Sequence, residues 1–238
     1  MCSPVNGVTG REPGPGREWT PVIENEFLKG LGTRTRGELA PLLRRKTFEA
    51  GEILVEQETA VAWVAFPLSM QFASALHVDG TVMGETALVG AEGVTGLLPF
   101  LAHAPFAWRI EARGAGEALI CPARVLRSAA ETDVELRRRL TALSYFYQVQ
   151  TAYMAACGTT HAIPQRVSRW LLEADDLGHG HAFHFTQDDI ARLLGVQRTS
   201  VVDAFALIKK HGALKHSRGR IRLLDRAPIR AMACGCYD

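Results

Sequence analysis

Residues 185–212 read FTQDDIARLLGVQRTSVVDAFALIKKHG, and this stretch decides the fold. Thr186 can cap a helix start, and Asp189 three residues on is the returning half of a capping box. Ile190, Leu193 and Leu194 follow at i, i+3 and i+4 and make one apolar face. Ala191 is small enough for a second helix to cross close above it. Gly195 ends the first helix, because the tight turn wants a positive φ that glycine takes without strain. A second helix starts about Arg198, with Val201, Phe205 and Ile208 on its buried side at spacings of four and three. Two helices joined in this way form a helix-turn-helix, whose second helix fits the DNA major groove.

Just downstream, ALKH (213–216) and RIRL (220–223) read as two short strands around Ser217, Arg218 and Gly219, the tip of a hairpin. A helix-turn-helix followed by a basic hairpin is a winged helix. From Thr186 to Arg230 there are ten Lys and Arg against four Asp, a net charge of +6, while the whole chain carries only +2. The positive field is therefore concentrated on the segment that carries the motif, as phosphate binding requires.

The totals fit a soluble globular chain of one or two domains, with 238 residues, 47% hydrophobic and 22% charged. No run of about 18 apolar residues suggests a membrane span. The N-terminus lacks the apolar core of a signal peptide, so a cytoplasmic location is expected. Five scattered cysteines do not make a disulfide framework. Residues 1–22 are rich in Pro and Gly and are expected to form a flexible tail.

From Arg45 to Pro122 short β-prone runs alternate with Gly-containing turns about every ten residues, which argues for a β-barrel or roll. Short helices are expected before it, over 24–31 and 38–43. Beyond it, DVELRRRLTALSYFYQVQTAYMAAC (133–157) holds no Gly or Pro. Leu136, Leu140, Leu143 and Tyr147 follow at spacings of four, three and four, a seam of coiled-coil type. Packing on the chain's own barrel is one reading of that seam, and a contact between two copies is the reading preferred from the sequence. Gly158 is expected to end the helix as a hinge, and 163–174 to form the next one. The expected fold class is therefore α+β: a jelly-roll-like β-roll sensor domain (23–130), a long dimerisation helix (131–160) and a C-terminal winged helix-turn-helix (161–238).

This order of parts resembles the Crp/Fnr superfamily of bacterial transcription regulators. The resemblance covers about residues 24–224. It is most specific in TQDDIARLLGVQRTSVVDAFALIKKHGALKHSRGRIRL and weaker in FEAGEILVEQ, VAFP, HVDG and VGAEGVTGLLPFL. It implies a homodimer that binds double-stranded DNA at a palindromic operator, with RNA polymerase as a further partner for an activator. Arg198 matches an arginine that reads an operator guanine, for which its fork is suited. Gln197, Thr199 and Asp203 are the other expected base readers, and the latter two depart from the residues common in the family. Thr186, Ser200, Lys215, Arg218 and Arg220 are expected at phosphates or sugars.

The sensor departs further from the nucleotide-binding members. Their ribose-binding glutamate matches Val94, and their phosphate-binding arginine falls near Pro105 and Phe106, with Arg109 shifted. A cyclic phosphate without its counter-charge loses hydration for little return, so cyclic AMP is not expected to bind. Only Cys2 lies near the N-terminus, so the four-cysteine iron–sulfur cluster of oxygen-sensing members is not available. Val94, Leu97, Leu98, Phe106 and Arg109 mark the expected effector pocket. The rival reading is a sensor whose roll binds a small molecule and signals to a protein partner through the long helix.

Other groupings carry less. His179, His181 and His184 lack a Cys or Glu to complete a metal set and read as a polar loop. Cys234 and Cys236 could be a redox pair or a metal clip, with a docked or frayed tail as the preferred reading, and Cys121 and Cys157 read as core. No metal site, cofactor or catalytic residue is expected: no G-x-S-x-G or other nucleophile motif is present.

Overall fold

The computed structural model describes residues 25–79, 81–178, 183–217 and 219–237. The expected tail, Arg218, His179 and His181 lie outside the described residues. The first helix, α1 (Glu26–Lys29), starts at Asn25, whose side chain accepts from the Leu28 N–H at 3.1 Å. The same buried amide donates to the carbonyls of Pro67 and Gly93 at 3.0 and 2.9 Å, so it pins the helix to the segments that follow. Next comes α2 (Thr33–Leu39), which Pro41 converts into a 3-10 turn over Ala40–Leu42. This helix begins five residues before the sequence pattern suggests.

Seven strands follow: β1 (Arg44–Phe48), β2 (Ile53–Val55), β3 (Trp63–Pro67), β4 (Phe72–Val78), β5 (Thr81–Val89), β6 (Arg109–Ala112) and β7 (Gly116–Pro122), with α3 (Leu97–Ala102) between β5 and β6. They pair antiparallel in two sheets, ordered β1-β7-β3 and β2-β6-β4-β5. Phe48, Val55, Phe72, Ile110 and Ala118 fill the roll between them. The Phe48 and Phe72 rings meet edge-on at 5.0 Å.

Two helices close the roll: α4 (Ala123–Thr132) and the long α5 (Val134–Thr160). Asp133 caps α5, accepting from the Leu136 N–H at 3.0 Å and from the Thr35 hydroxyl. At about 1.5 Å per residue its 27 residues reach about 40 Å. The helix runs through Gly158, so the break falls at His161 and Ala162 instead.

The seam of α5 corrects the sequence reading. Leu136, Leu140 and Tyr147 are buried, and Leu143 is partly so, in one cluster with Val94, Leu97, Phe100 and Leu126. The buried residues of that stripe pack on the chain's own β-roll and the helices beside it, so within one chain they are already covered. Spacing alone does not distinguish the two partners, because both offer the same kind of apolar surface.

The last domain comprises α6 (Ile163–Leu177), β8 (Phe183–His184), α7 (Gln187–Leu194), α8 (Arg198–Lys210), β9 (Leu214–Ser217), β10 (Arg220–Leu223) and α9 (Arg226–Met232). Its own core joins Trp170, Phe185, Ile190, Val201, Phe205 and Ile221. The domain rests on the roll: Leu88 of β5 packs on that core, and the Gln71 amide donates to the Ala174 carbonyl at 3.1 Å. Among the described residues no helix is long and apolar enough to cross a membrane.

Candidate nucleic-acid interface

The helix pair forms as its caps dictate. The Thr186 hydroxyl accepts from the Asp189 N–H at 3.1 Å, and the Asp189 carboxylate accepts from the Thr186 N–H at 2.8 Å. Arg192 also donates to that carboxylate. Burial would raise the Asp189 pKa, but the hydrogen bonds from Thr186 and Arg192 outweigh it and hold the acid below its ordinary value. At the other end Gly195 sits at φ 61°, and Arg166 donates to the Leu194 carbonyl. The turn is thus satisfied at both ends, and α8 crosses α7 with Val201, Ala204, Phe205 and Ile208 buried.

What remains of α8 faces outward. Gln197, its N-cap, and Arg198 and Thr199, its first residues, are exposed, as are Val202, Asp203 and Ala206 one turn on. Ser200 is half-buried. Arg198 Nε lies 3.4 Å from a carboxylate oxygen of Asp188, a partner the sequence pattern does not reveal. Thr186 is exposed, but its hydroxyl and N–H are both engaged by Asp189.

Beside α8 stands the wing, a three-stranded sheet ordered β8-β10-β9 and anchored by buried Ile221. Lys215 lies directly opposite Arg222, and Arg220 is paired with both Ser217 and His184. Lys215, Arg220 and Arg222 are all exposed. Like charges directly opposite one another cost a sheet stability, so this ribbon suits a polyanion better than it suits its own fold. Arg222 stands out only once the strand register is known.

The residues expected around an effector are split between two cores. Val94 and Leu97 are buried in the cluster under α5, Phe106 lies in the roll interior, and Leu98 is exposed. Arg109 is paired with Glu56 at 2.8 Å. Tyr147 of α5 reaches over this region and accepts from the Val94 N–H at 3.3 Å. A Cβ on Gly93 would lie 1.9 Å from its hydroxyl oxygen, so only glycine allows that approach. Burial, followed by the nearby Glu92 charge, pushes the Tyr147 phenol well above its ordinary pKa, against the lowering effect of the Val94 hydrogen bond. It is therefore a neutral plug.

Fold and surface together define a β-roll joined through a long helix to a winged helix-turn-helix of the DNA-binding kind. Residues 165–232 match the Crp-like helix-turn-helix domain family. The whole architecture is that of Crp/Fnr regulators. FixK2 of Bradyrhizobium japonicum superposes with a TM-score of 0.68 at 18% identity, over 81% of this chain and 98% of its own. The c-di-GMP-responsive global regulator CLP of Xanthomonas campestris gives 0.65 at 12% identity, covering 82% of this chain and all of its own. A transcriptional regulator of the CRP family from Thermus thermophilus, TTHB099, gives 0.64 at 19%, covering 79% and 96%. A comparison with curated protein sequences finds no match.

Proposed function

We propose that the chain acts as a homodimer that reads a two-fold symmetric operator, with one α8 in each of two successive major grooves. The observation that carries this reading is the exposed start of α8 beside a wing that holds Lys215, Arg220 and Arg222 unburied. Arg198 reads a guanine through its O6 and N7, and Asp203 accepts from a cytosine amino group. Gln197 and Thr199 add polar base contacts. Ser200 and the wing cations hold phosphates, which position the protein without specifying sequence.

The face of α5 opposite its buried stripe supports the dimer. Ala142, Tyr145, Val149, Ala152 and Ala156 recur there at spacings of three and four, with none of them buried. Tyr145 is 72% exposed. This is knob spacing for a two-stranded seam, and an operator with half-sites one turn apart calls for recognition helices about 34 Å apart. The plug of Tyr147 over Gly93 and Val94 supports a sensor that does not take cyclic AMP, since Val94 and Phe106, at or beside the positions of the ribose and phosphate ligands, are buried and apolar.

The test is selection of bound duplexes from a random pool by the purified chain at stated salt. Recovery of a palindrome with half-sites one helical turn apart is expected. A pool that returns unenriched even at low salt would remove the proposal.

A further inference from the structure

Away from the DNA face, the last turn of α5 meets the end of the chain. Cys157 lies four residues before His161, on the same side of that turn. Cys234 and Cys236 follow α9, one residue apart. Sequence reading assigns Cys157 to the core and the other two to a tail; the fold gathers all three around His161. The four donor atoms lie within 4.8 Å of one another. Cys157 Sγ is 3.5 Å from Cys234 Sγ, and Cys236 Sγ is 3.6 Å from His161 Nδ1. Cys157 and Cys234 are buried, the other two half-buried, and all three cysteines are free thiols. We propose that Cys157, His161, Cys234 and Cys236 form a closed site for one Zn²⁺ ion.

The geometry suits that ion. Bonds of about 2.3 Å to sulfur and about 2.0–2.1 Å to nitrogen place the ligands of a tetrahedron roughly 3.5–3.8 Å apart. Both measured separations fall there, well beyond the ~2.05 Å of a disulfide. Three thiolates and an imidazole form a soft donor set that selects zinc over magnesium or calcium. An iron–sulfur cluster spreads its cysteines over several irons and needs a wider cage. The surroundings contribute charge balance. Zn²⁺ with three thiolates carries one net negative charge; burial pushes the metal-free Cys157 and Cys236 thiols up, and the positive charge of the buried Arg169 guanidinium opposes that. Arg169 pairs with Glu173 through Nη1 at 2.6 Å, while its buried Nε has no hydrogen-bond partner among the described residues. An unspent donor beside a thiolate set is what an outer ligand shell supplies. The Thr160 hydroxyl, 3.3 Å from His161 Nδ1, gives way when the ion binds.

The site would tie the tail of the DNA-binding domain to the last turn of α5, one residue before the Ala162 break. It stands apart from the reading of the recognition helix, so its failure would leave that reading untouched. The full chain, purified reduced and stripped with chelator, is titrated with Co²⁺ and then Zn²⁺. One equivalent of Co²⁺ is expected to give the intense visible bands and sulfur charge-transfer absorption of a tetrahedral thiolate site, and Zn²⁺ to abolish them. Cys157→Ser, His161→Ala and removal of residues 234–238 should each weaken Zn²⁺ binding by more than tenfold. The tail deletion also removes Tyr237, which packs on the C-terminal core and bonds Arg226 and Asp176, so its fold is checked by circular dichroism and Cys236→Ser serves as the milder variant. A weak octahedral cobalt spectrum, or a Cys157–Cys234 disulfide recovered from protein kept reduced, overturns the proposal.

Discussion

Replacing Arg198 with alanine separates base reading from phosphate binding. Its side chain is 63% exposed and its ion-pair partner, Asp188, is 59% exposed. An exposed pair of this kind is worth roughly 0–1 kcal/mol, so Arg198→Ala should leave the thermal midpoint nearly unchanged. On DNA the loss is larger, because a bidentate arginine–guanine contact discriminates by about 1–3 kcal/mol. Each 1.4 kcal/mol is roughly tenfold, and a dimer loses the contact in both half-sites. The expected loss on a symmetric operator is then about 2–6 kcal/mol, or at least roughly 30-fold in Kd. Fluorescence anisotropy at fixed salt would compare the operator, an operator with the contacted guanine replaced, and an unrelated duplex. The variant should weaken on the first and hardly change on the other two. Asp188→Ala frees Arg198 and removes a negative charge from the DNA face, so it should tighten binding modestly on all three. If Arg198→Ala weakens all three duplexes equally and lowers the salt slope by about one per chain, the residue touches only phosphate and the base assignment is wrong.

Thr186→Ala removes the cap of α7 and should cost about 0.5–2 kcal/mol of stability, read by thermal or urea denaturation. Because Asp189 is held below its ordinary value, its contribution is present above about pH 4 and fades as pH falls through its lower native pKa; Asp189→Asn should flatten that part of the acid-unfolding curve. Gly93→Ala drives a methyl into the Tyr147 hydroxyl and should cost about 1–3 kcal/mol, and adding Tyr147→Phe should recover part of the loss, whereas additive losses would mean that the two do not meet. Val149→Glu, on the open face of α5, should yield a folded monomer in sedimentation, whereas Leu140→Ala, fully buried, should cost about 2–5 kcal/mol and leave self-association intact.

The winged domain is legible in the sequence because its signals are local. Thr186, Asp189 and Gly195 specify caps through backbone chemistry a few residues away, and the structure uses each for that purpose. The roll is readable as a class from its turn spacing, although the order of its strands is not. What escaped depends on partners distant in sequence. Tyr147 has the spacing of a dimer seam, yet its hydroxyl is spent on Val94, 53 residues earlier. Cys157 and Cys234 stand 77 residues apart, and His161 carries no motif of its own until the fold brings the tail to it. Periodicity identifies an apolar stripe but not the surface that covers it.

The long helix shows why that distinction matters. Its inward stripe ends at Tyr147, and from Gln148 to Ala156 no residue is buried, until Cys157 is buried again. Those nine residues lie inside one continuous 27-residue helix and are held chiefly through its two ends. The N-terminal core, through Leu136, Leu140 and Tyr147, holds the segment at one end. At the other, the thiols of the tail close on its last turn, and a bound ion would fasten them. Between those anchors the stripe of Val149, Ala152 and Ala156, continued upward by Tyr145, offers an apolar surface. A second copy laid along that stripe would cover the exposed stretch. In this arrangement the strength of the dimer contact, the closure of the cysteine cluster and the spacing of the recognition helices would all depend on the same few turns of α5.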